Sequence, residues 1–389
     1  MQPTGKITFR RVDLTTLDIP LQDLVPNSRQ SLGVRNRGQI STPAYAPGDL
    51  VKLNSDAPDY EPWEVVAVNA LNGILSLTQS SFPEGVTIDR PVTDVTAKVE
   101  SRRANHSRLQ KLHQLLIEPI ADLLPTKPET SVIFIPHKEI FLVPFPALQD
   151  AAGKYLIEKH TILTAPAIQV LDLTHKQRQH VSSSAKDILV VGNPTMPQVS
   201  FEPGEPPQPL APLPNAEQEA QEIARRLRTK AITGSQATKA AVVTQLPKAR
   251  IIHLATHGLL DDTQGLGSAI ALAPSSKDNG LLTAQEIIDM NLNAELVVLS
   301  ACNTGQGRIT GDGVIGLSRS LIAAGIPSTI VSLWTVPDAP TADLMTDFYK
   351  NLQHTGDKAQ ALRQAMLTTM QQHPNPRNWA AFTLIGESQ

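Results

Sequence analysis

The chain has 389 residues, a formal charge of −3 and a single cysteine. The small charge gives no reason to expect nucleic acid or an anionic membrane surface as a partner, and one cysteine cannot form an internal disulfide. The first residues lack the apolar core of a signal peptide, and no apolar run is long enough to span a membrane. We therefore expect a cytoplasmic protein with no nucleic acid and no membrane among its partners.

The first hundred residues predict two segments. Residues 1–43 show weak periodicity and several turn formers, a pattern typical of a linker or a peripheral arm. Residues 44–100 contain short β-branched runs with partial alternation, and Asn72-Gly73 between two of them indicates a hairpin. We predict a small β-barrel-like domain here. It would be a spacer or a partner-binding module, since a fold alone does not determine function.

From residue 101 to residue 389 the pattern predicts a single α/β domain. Its apolar runs are continuous rather than alternating, which suits strands buried on both faces of a parallel sheet. The runs are VIFIP (132–136), ILVVG (188–192), RIIHLA (250–255), ELVVLS (295–300), STIVSLW (328–334) and AAFTLIG (380–386). Helix-start signals stand between them, such as the capping box of Thr283 with Glu286. The prediction is a mostly parallel central sheet flanked by helices and preceded by the small β-rich domain.

The stretch from Pro194 to Pro214 contains eight prolines. Proline removes a main-chain donor and is incompatible with a helix interior or a central strand. We predict a surface loop.

The single cysteine, Cys302, follows the apolar run 295–300, and His257 follows the run 250–255. A helix predicted between these runs makes them a βαβ unit, so their carboxyl ends share the edge where open parallel sheets bind ligands. Neighbouring strands lie about 5 Å apart, which lets the two side chains converge. His253 lies inside its run and is expected to be a core histidine.

A histidine beside a cysteine suits nucleophilic catalysis by a thiol. Histidine favours the reactive thiolate, which attacks a carbonyl carbon while the imidazole protonates the leaving amine. The main-chain N–H groups of Gly258 and Cys302, both at strand-end turns, are the predicted donors to the oxyanion. On spacing alone the alternative stays open that Cys302 is a small buried apolar residue.

The segments IIHLATHG, VVLSACNTGQG, GDGVIGLSRSLIAAGIPSTIVSLWTVPD and WAAFTLIG, in that order, resemble the CHAT domain. This is a family of caspase-like cysteine peptidases related to separases, and the resemblance covers roughly residues 105–389. It implies a caspase-like α/β fold with Cys302 as nucleophile and His257 as acid and base. It also implies a protein substrate and activation by a partner or signal. A β-rich segment stands where such proteins often carry tetratricopeptide repeats.

The resemblance also suggests residues for substrate binding. Relatives that cleave after basic residues hold the basic side chain with a carboxylate, and Asp338 lies where separase-like enzymes carry acids. Asp312 and Asp343 are further candidates. Asp312 and Asp338 would also suit a simple role as helix caps.

Two other functions remain open on the sequence. The chain would be a catalytically idle scaffold or regulatory binding module if the dyad were unused, and a thiol-dependent acyltransferase or amidase would use the same dyad. GDGVIG (311–316) matches G-x-G-x-x-G, but the preceding strand ends about ten residues too early for a dinucleotide site. No histidine and cysteine spacing is typical of zinc, and we expect no cofactor.

Overall fold

The computed structural model describes residues 7–12, 21–32, 45, 50–54, 63–69, 74–79, 86–99, 102–181, 187–200, 206–259, 266–300, 311–334 and 336–389. The predicted hairpin turn at Asn72-Gly73 lies outside these residues.

An antiparallel sheet of five strands forms the N-terminal part. The strands are β1 (Leu50–Leu53), β2 (Trp63–Asn69), β3 (Ile74–Thr78), β4 (Ile88–Pro91) and β5 (Val95–Val99), in the order β4-β3-β2-β1-β5. Alternate side chains such as Val51, Leu53, Leu75 and Leu77 form a small apolar core on one face, as the two-residue period of a strand requires. The β-rich region expected before the α/β part is confirmed, while the domain limits at 43 and 100 stay a prediction.

Thirteen further strands follow along the described chain. They are β6 (Ser131–Phe134), β7 (Thr161–Thr164), β8 (Asp187–Pro194), β9 (Gln198–Val199), β10 (Gln208–Pro209), β11 (Ala231–Gly234), β12 (Ala249–Ala255), β13 (Gly258–Leu259), β14 (Ala269–Ala271), β15 (Leu281–Thr283), β16 (Leu296–Leu299), β17 (Ser328–Ser332) and β18 (Phe382–Gly386). Eight of them form the central sheet, in the order β11-β8-β12-β16-β17-β18-β7-β6. Every neighbouring pair is parallel except β17 with β18. The predicted mostly parallel sheet is confirmed.

Helices cover the central sheet. They are α1 (Leu21–Ser31), α2 (Arg102–Leu116), α3 (Leu156–Lys159), α4 (Ile168–His180), α5 (Pro214–Arg226), α6 (Lys239–Gln245), α7 (Ala284–Ile288), α8 (Gly311–Ala323), α9 (Asp338–Thr355) and α10 (Lys358–Gln372). α7 packs against α8, α5 packs on β8, and α9 packs between α5 and α10. None of the helices in the described ranges is long and apolar enough to cross a membrane.

Helix α1 lies in the segment for which the sequence predicts a linker or peripheral arm. Its Leu24 and Val25 are buried in the same core as the central sheet. Arg29 of α1 is only 1% exposed, and its guanidinium donates to the carbonyl of Leu333 and lies 5.9 Å from the ring centre of Trp334. Burial lowers the pKa of Arg29 to about 10. Part of the N-terminal segment is therefore built into the α/β core.

We expect Gly192→Ala to destabilise the fold, because α5 packs directly on β8 at this residue. A Cβ there would lie 2.3 Å from the Cβ of Ala220 and 2.5 Å from the carbonyl oxygen of Ala216. The helix would have to shift, at a cost of about 1–3 kcal/mol in the free energy of unfolding. Urea unfolding measures the change, with Gln221→Ala on the exposed side of α5 as control. Equal losses in the two variants would contradict the close packing.

Candidate active site

The candidate site lies at the carboxyl edge of the central sheet. β12 and β16 pair in parallel from Ile251 with Leu296 to Leu254 with Leu299, and the N–H of Ser300 donates to the carbonyl of Leu254 at 3.1 Å. The chain leaves β8 towards β11 on one side, whereas β12 is followed by β16 on the other. Strand order therefore reverses between β8 and β12, and the carboxyl ends at such a point border a crevice that binds ligands in open α/β sheets.

His257 emerges at this edge directly after β12, and a second small sheet fixes its backbone. The carbonyl of His257 accepts from the N–H of Ala271 at 2.9 Å, and the hydroxyl of Thr256 donates to the carbonyl of Ala271 at 2.7 Å. Gly258 opens β13, which pairs with β14. The side chain of His257 has no exposed surface, so the atoms packed around the ring restrict its orientation.

The His257 ring has one hydrogen-bonded nitrogen and one unpartnered nitrogen. Nε2 lies 2.6 Å from the carbonyl oxygen of Ala211. A carbonyl oxygen only accepts, so Nε2 carries a proton and, in the neutral ring, Nδ1 keeps a free lone pair. Nδ1 is buried and has no hydrogen-bond partner among the described residues. The ring is thus held in the tautomer of a base whose accepting atom is Nδ1.

Ala211, the partner of that ring, belongs to the proline-rich stretch predicted to be a surface loop. In its described parts this stretch carries the β9–β10 hairpin, and Leu210 packs against Val199 and Ala271. The N–H of Leu213 donates to the Asn193 side chain at 2.9 Å. The described residues of the stretch before α5 form no regular helix, but they are packed against the rest of the domain. Sequence reasoning missed Ala211, because a main-chain carbonyl has no residue-type signature.

Burial is the largest influence on the pKa of His257. It lowers that pKa below the ordinary value, while the hydrogen bond to Ala211 and the negative charge of Asp338 act in the opposite direction without cancelling it. The ring is therefore neutral at neutral pH, the state that a general base needs.

The candidate acids fall in different places. Oδ2 of Asp338 accepts from the N–H of Asn215 at 2.9 Å, so Asp338 caps the start of α5 while its charge reaches His257. Asp343 is 59% exposed, and its carboxylate lies 3.7 Å from His373, the residue that follows α10; it is not brought to His257. The side chain of Asp312 and the whole of Cys302 lie outside the described residues.

Two serines at the same edge were not singled out by the sequence. Ser300 follows β16 and Ser332 ends β17; both are buried, and their hydroxyls have no hydrogen-bond partner in the ranges described. Together with Nδ1 of His257, these are unpartnered polar atoms at the ends of three adjacent strands. Buried polar groups are normally paired, and among the described residues these three atoms are free to contact a ligand.

His253 illustrates the contrasting case. Its Nε2 lies 2.9 Å from Oε1 of Glu219, and its Nδ1 lies 3.2 Å from the hydroxyl of Tyr349. Both ring nitrogens are satisfied inside the core, and the prediction of a core histidine is confirmed.

Comparison with known protein families gives a match to the CHAT domain over residues 106–387. The chain belongs to the CHAT domain family. Among curated proteins, this CHAT protein is similar to tetratricopeptide repeat protein 28 of Mus musculus and of Homo sapiens, each 29% identical. The matches cover 76% of this chain and 14% of the relatives, so the chain spans only a small part of the length of the curated relatives it matches.

Solved structures similar to this CHAT protein include peptidases at low sequence identity. The separase–securin complex of Saccharomyces cerevisiae matches with a TM-score of 0.43 and 13% identity, over 75% of this chain and 18% of that chain. The Arg-specific cysteine proteinase gingipain R matches with a TM-score of 0.41 and 10% identity, over 74% of this chain and 68% of that chain.

We expect the burial of neutral His257 to make the fold sensitive to acid. Its pKa is lower in the folded state than in the unfolded chain, so the unfolded state binds more protons and the free energy of unfolding falls as pH drops below about 6.5. Urea unfolding from pH 7.5 to pH 5 should show a smaller fall for His257→Gln than for the wild type. His354→Gln, at an exposed position, is the control. Identical pH profiles for wild type and His257→Gln would contradict the neutral buried ring.

Proposed function

We propose that this CHAT protein is a cysteine endopeptidase that cleaves peptide bonds in a protein substrate through Cys302 and His257. The observation that carries the proposal is Nδ1 of His257, which is buried at the carboxyl end of β12 and has no hydrogen-bond partner among the described residues. The strand register supports it, because His257 lies as far beyond Ile251 as Cys302 lies beyond Leu296, the residue paired with Ile251. Continued past the strand ends, that register favours a position for the sulfur beside the imidazole.

The chemistry follows from the tautomer. Nδ1 takes the proton of the Cys302 thiol, and the thiolate attacks the carbonyl carbon of the scissile peptide bond. The protonated ring then gives this proton to the leaving amine, which departs and leaves an acyl-enzyme. Water, deprotonated by Nδ1, releases the acid and restores the thiol. The carbonyl of Ala211 stabilises the imidazolium in between, and we assign the oxyanion to the N–H groups of Gly258 and Cys302.

Asp338 is our candidate for binding a basic side chain of the substrate. It is half-buried, its charge acts on His257, and one of its oxygens is engaged by Asn215. A guanidinium or ammonium would find the remaining carboxylate charge in a partly desolvated place, where charge-assisted hydrogen bonds are strong. Asp312 remains a candidate from the family resemblance, and the exposure of Asp343 gives it less support.

Activation by a protein partner or another signal is part of the proposal. The side chain of His257 has no exposed surface, and a substrate must come within reach of Nδ1 for the ring to act on it. An event that opens the crevice would supply that access. The same burial favours the alternative function, a scaffold or regulatory module that does not cleave.

We expect the wild type to cleave members of a positional peptide library and to be labelled by an electrophilic thiol probe. Cys302→Ala should lose both, since it is the single cysteine, and His257→Gln should cleave about 10²–10⁴-fold more slowly, the usual contribution of a general acid–base. Peptide cleavage is followed by mass spectrometry. Cleavage that persists in Cys302→Ala would rule out the dyad. Labelling without cleavage would favour the non-cleaving alternative or another acyl transfer.

Asp338→Asn should weaken the preference for a basic side chain before the cleaved bond. Asparagine can still accept from Asn215, so the cap on α5 is kept while the charge is removed. The ratio of kcat/KM for an arginine peptide to that for its glutamine analogue should fall by about 10-fold or more. Asp187→Asn, exposed at the first residue of β8 and so at the opposite edge of the sheet, is the charge-matched control and should leave the ratio unchanged. An unchanged ratio in Asp338→Asn would show that this acid does not select the substrate.

A further inference from the structure

Asn193 lies at the carboxyl end of β8, beside the end of β12, and has an unusual backbone conformation. Its φ is +43°, in the left-handed region, where asparagine is tolerated better than most other residues with a side chain. Thr233 of β11 pairs with Gly192 of β8. The next residue of β11, Gly234, pairs with Pro194, which makes Asn193 the extra residue of a bulge. Bulges redirect a side chain and are common beside active sites.

The side chain of Asn193 makes two hydrogen bonds at the start of α5. Its Oδ1 accepts from the N–H of Leu213 at 2.9 Å, and its Nδ2 donates to Oε2 of Glu217 at 3.2 Å. The amide is therefore used both as an acceptor and as a donor. Leu213 follows Ala211 by two residues, so Asn193 holds the segment whose carbonyl accepts from Nε2 of His257.

The composition of this segment, APLP at residues 211–214, leaves few other ways to hold it. Proline has no N–H, so the N–H of Leu213 is the only main-chain donor from residue 212 to residue 214. Ala211 is exposed, so packing restrains it little. Buried Leu210 anchors the chain before it. On the side of α5, the orientation of the Ala211 carbonyl therefore depends on the bond from Leu213 to Asn193.

A simpler role for Asn193 would be to anchor α5, since Leu213 is the residue before the first turn of that helix. The helix is already anchored elsewhere. Its buried face packs directly on β8, and Nε2 of His253 lies 2.9 Å from its Glu219 inside the core. A strained bulge is not needed to dock a helix that is held in this way. Strained backbone is common at functional sites, and here it delivers the amide close to Ala211.

We propose that Asn193 is a positioning residue for His257. By holding Leu213 it sets the carbonyl of Ala211 against Nε2, which keeps the proton on that nitrogen and leaves Nδ1 as the accepting atom. The catalytic consequence rests on the proposed function, since only a base in this orientation would take the proton of Cys302. The orientation of the ring itself does not depend on peptide cleavage.

Asn193→Gly tests the positioning, because glycine keeps the left-handed backbone while both side-chain bonds are lost. In the full chain with Cys302→Ala and isotope-labelled histidine, NMR follows the exchange of the His257 Nε2–H with solvent. We expect this exchange to be at least about fivefold faster in Asn193→Gly, because a hydrogen bond that holds Ala211 in place is lost. His257→Gln identifies the signal among the ten histidines.

The double variant Asn193→Asp with Glu217→Gln is the matched rescue. Its carboxylate still accepts from Leu213 and also accepts from the new amide, so both bonds are kept, the second reversed, with no change in net charge. Exchange should return to the rate of the parent chain. With Cys302 intact, kcat should fall by about 10-fold in Asn193→Gly with little change in KM, and the double variant should recover it.

Asn293→Gly is the control. Nδ2 of Asn293 donates to the carbonyl of Pro247 at 3.3 Å, before β16 and so at the opposite edge of the sheet. Its loss should change neither the exchange at His257 nor kcat.

Three results would overturn the proposal: unchanged exchange in Asn193→Gly, an equal acceleration in Asn293→Gly, or no recovery in the double variant. Faster exchange in Asn193→Gly without cleavage by any chain that keeps Cys302 would support the positioning of the ring and contradict the proposed peptidase activity.

Discussion

The parallel pairing of β12 with β16 is the constraint on which the rest of the molecule depends. Both strands are buried on both faces, with Ile252 and Val297 paired and fully enclosed. A slip of one residue would turn every side chain of one strand to the opposite face. In a close-packed core the exchanged side chains would clash or leave cavities. The two segments that leave these strands therefore start from a common level at one edge of the sheet.

At that edge, two opposing effects act on the imidazole of His257. Burial favours the uncharged ring, whereas any proton transfer to it creates a charge that burial penalises. The carbonyl of Ala211 and the carboxylate of Asp338 both favour the charged ring, and neither outweighs burial. The result is a neutral ring whose protonated form would keep two favourable interactions, with Ala211 and with Asp338. Both supporting groups lie near the first turn of α5, Ala211 just before it and Asp338 hydrogen-bonded to Asn215.

The sequence predicts the framework well, because long apolar runs have a period that can be read. Each of the six runs corresponds to a strand, namely β6, β8, β12, β16, β17 and β18. The sequence did not single out β7 and β11, because their segments TILT and AITG contain only two apolar residues each and form no continuous apolar run. His257 was separated from His253 by its position past the strand end, before a glycine.

The contacts that complete the site were beyond sequence reasoning for a different reason. Ala211 contributes a main-chain oxygen, which every residue has. Asp338 caps a helix 123 residues earlier in the chain, so nothing in its own neighbourhood identifies the partner. Ser332 lies inside a run that looks like any buried strand. Such contacts depend on how segments distant in the sequence pack together, and local sequence patterns do not predict that packing.

The burial of Arg29 against Leu333 and Trp334 has a practical consequence for shortened versions of this protein. A boundary drawn at residue 101, where the α/β pattern begins, would remove α1 and uncover the indole of Trp334, now fully buried. The carbonyl of Leu333 would lose its donor at the end of the strand that leads to Asp338. A fragment cut there would expose an apolar surface close to the candidate active site. Its aggregation would therefore say little about the behaviour of the intact chain.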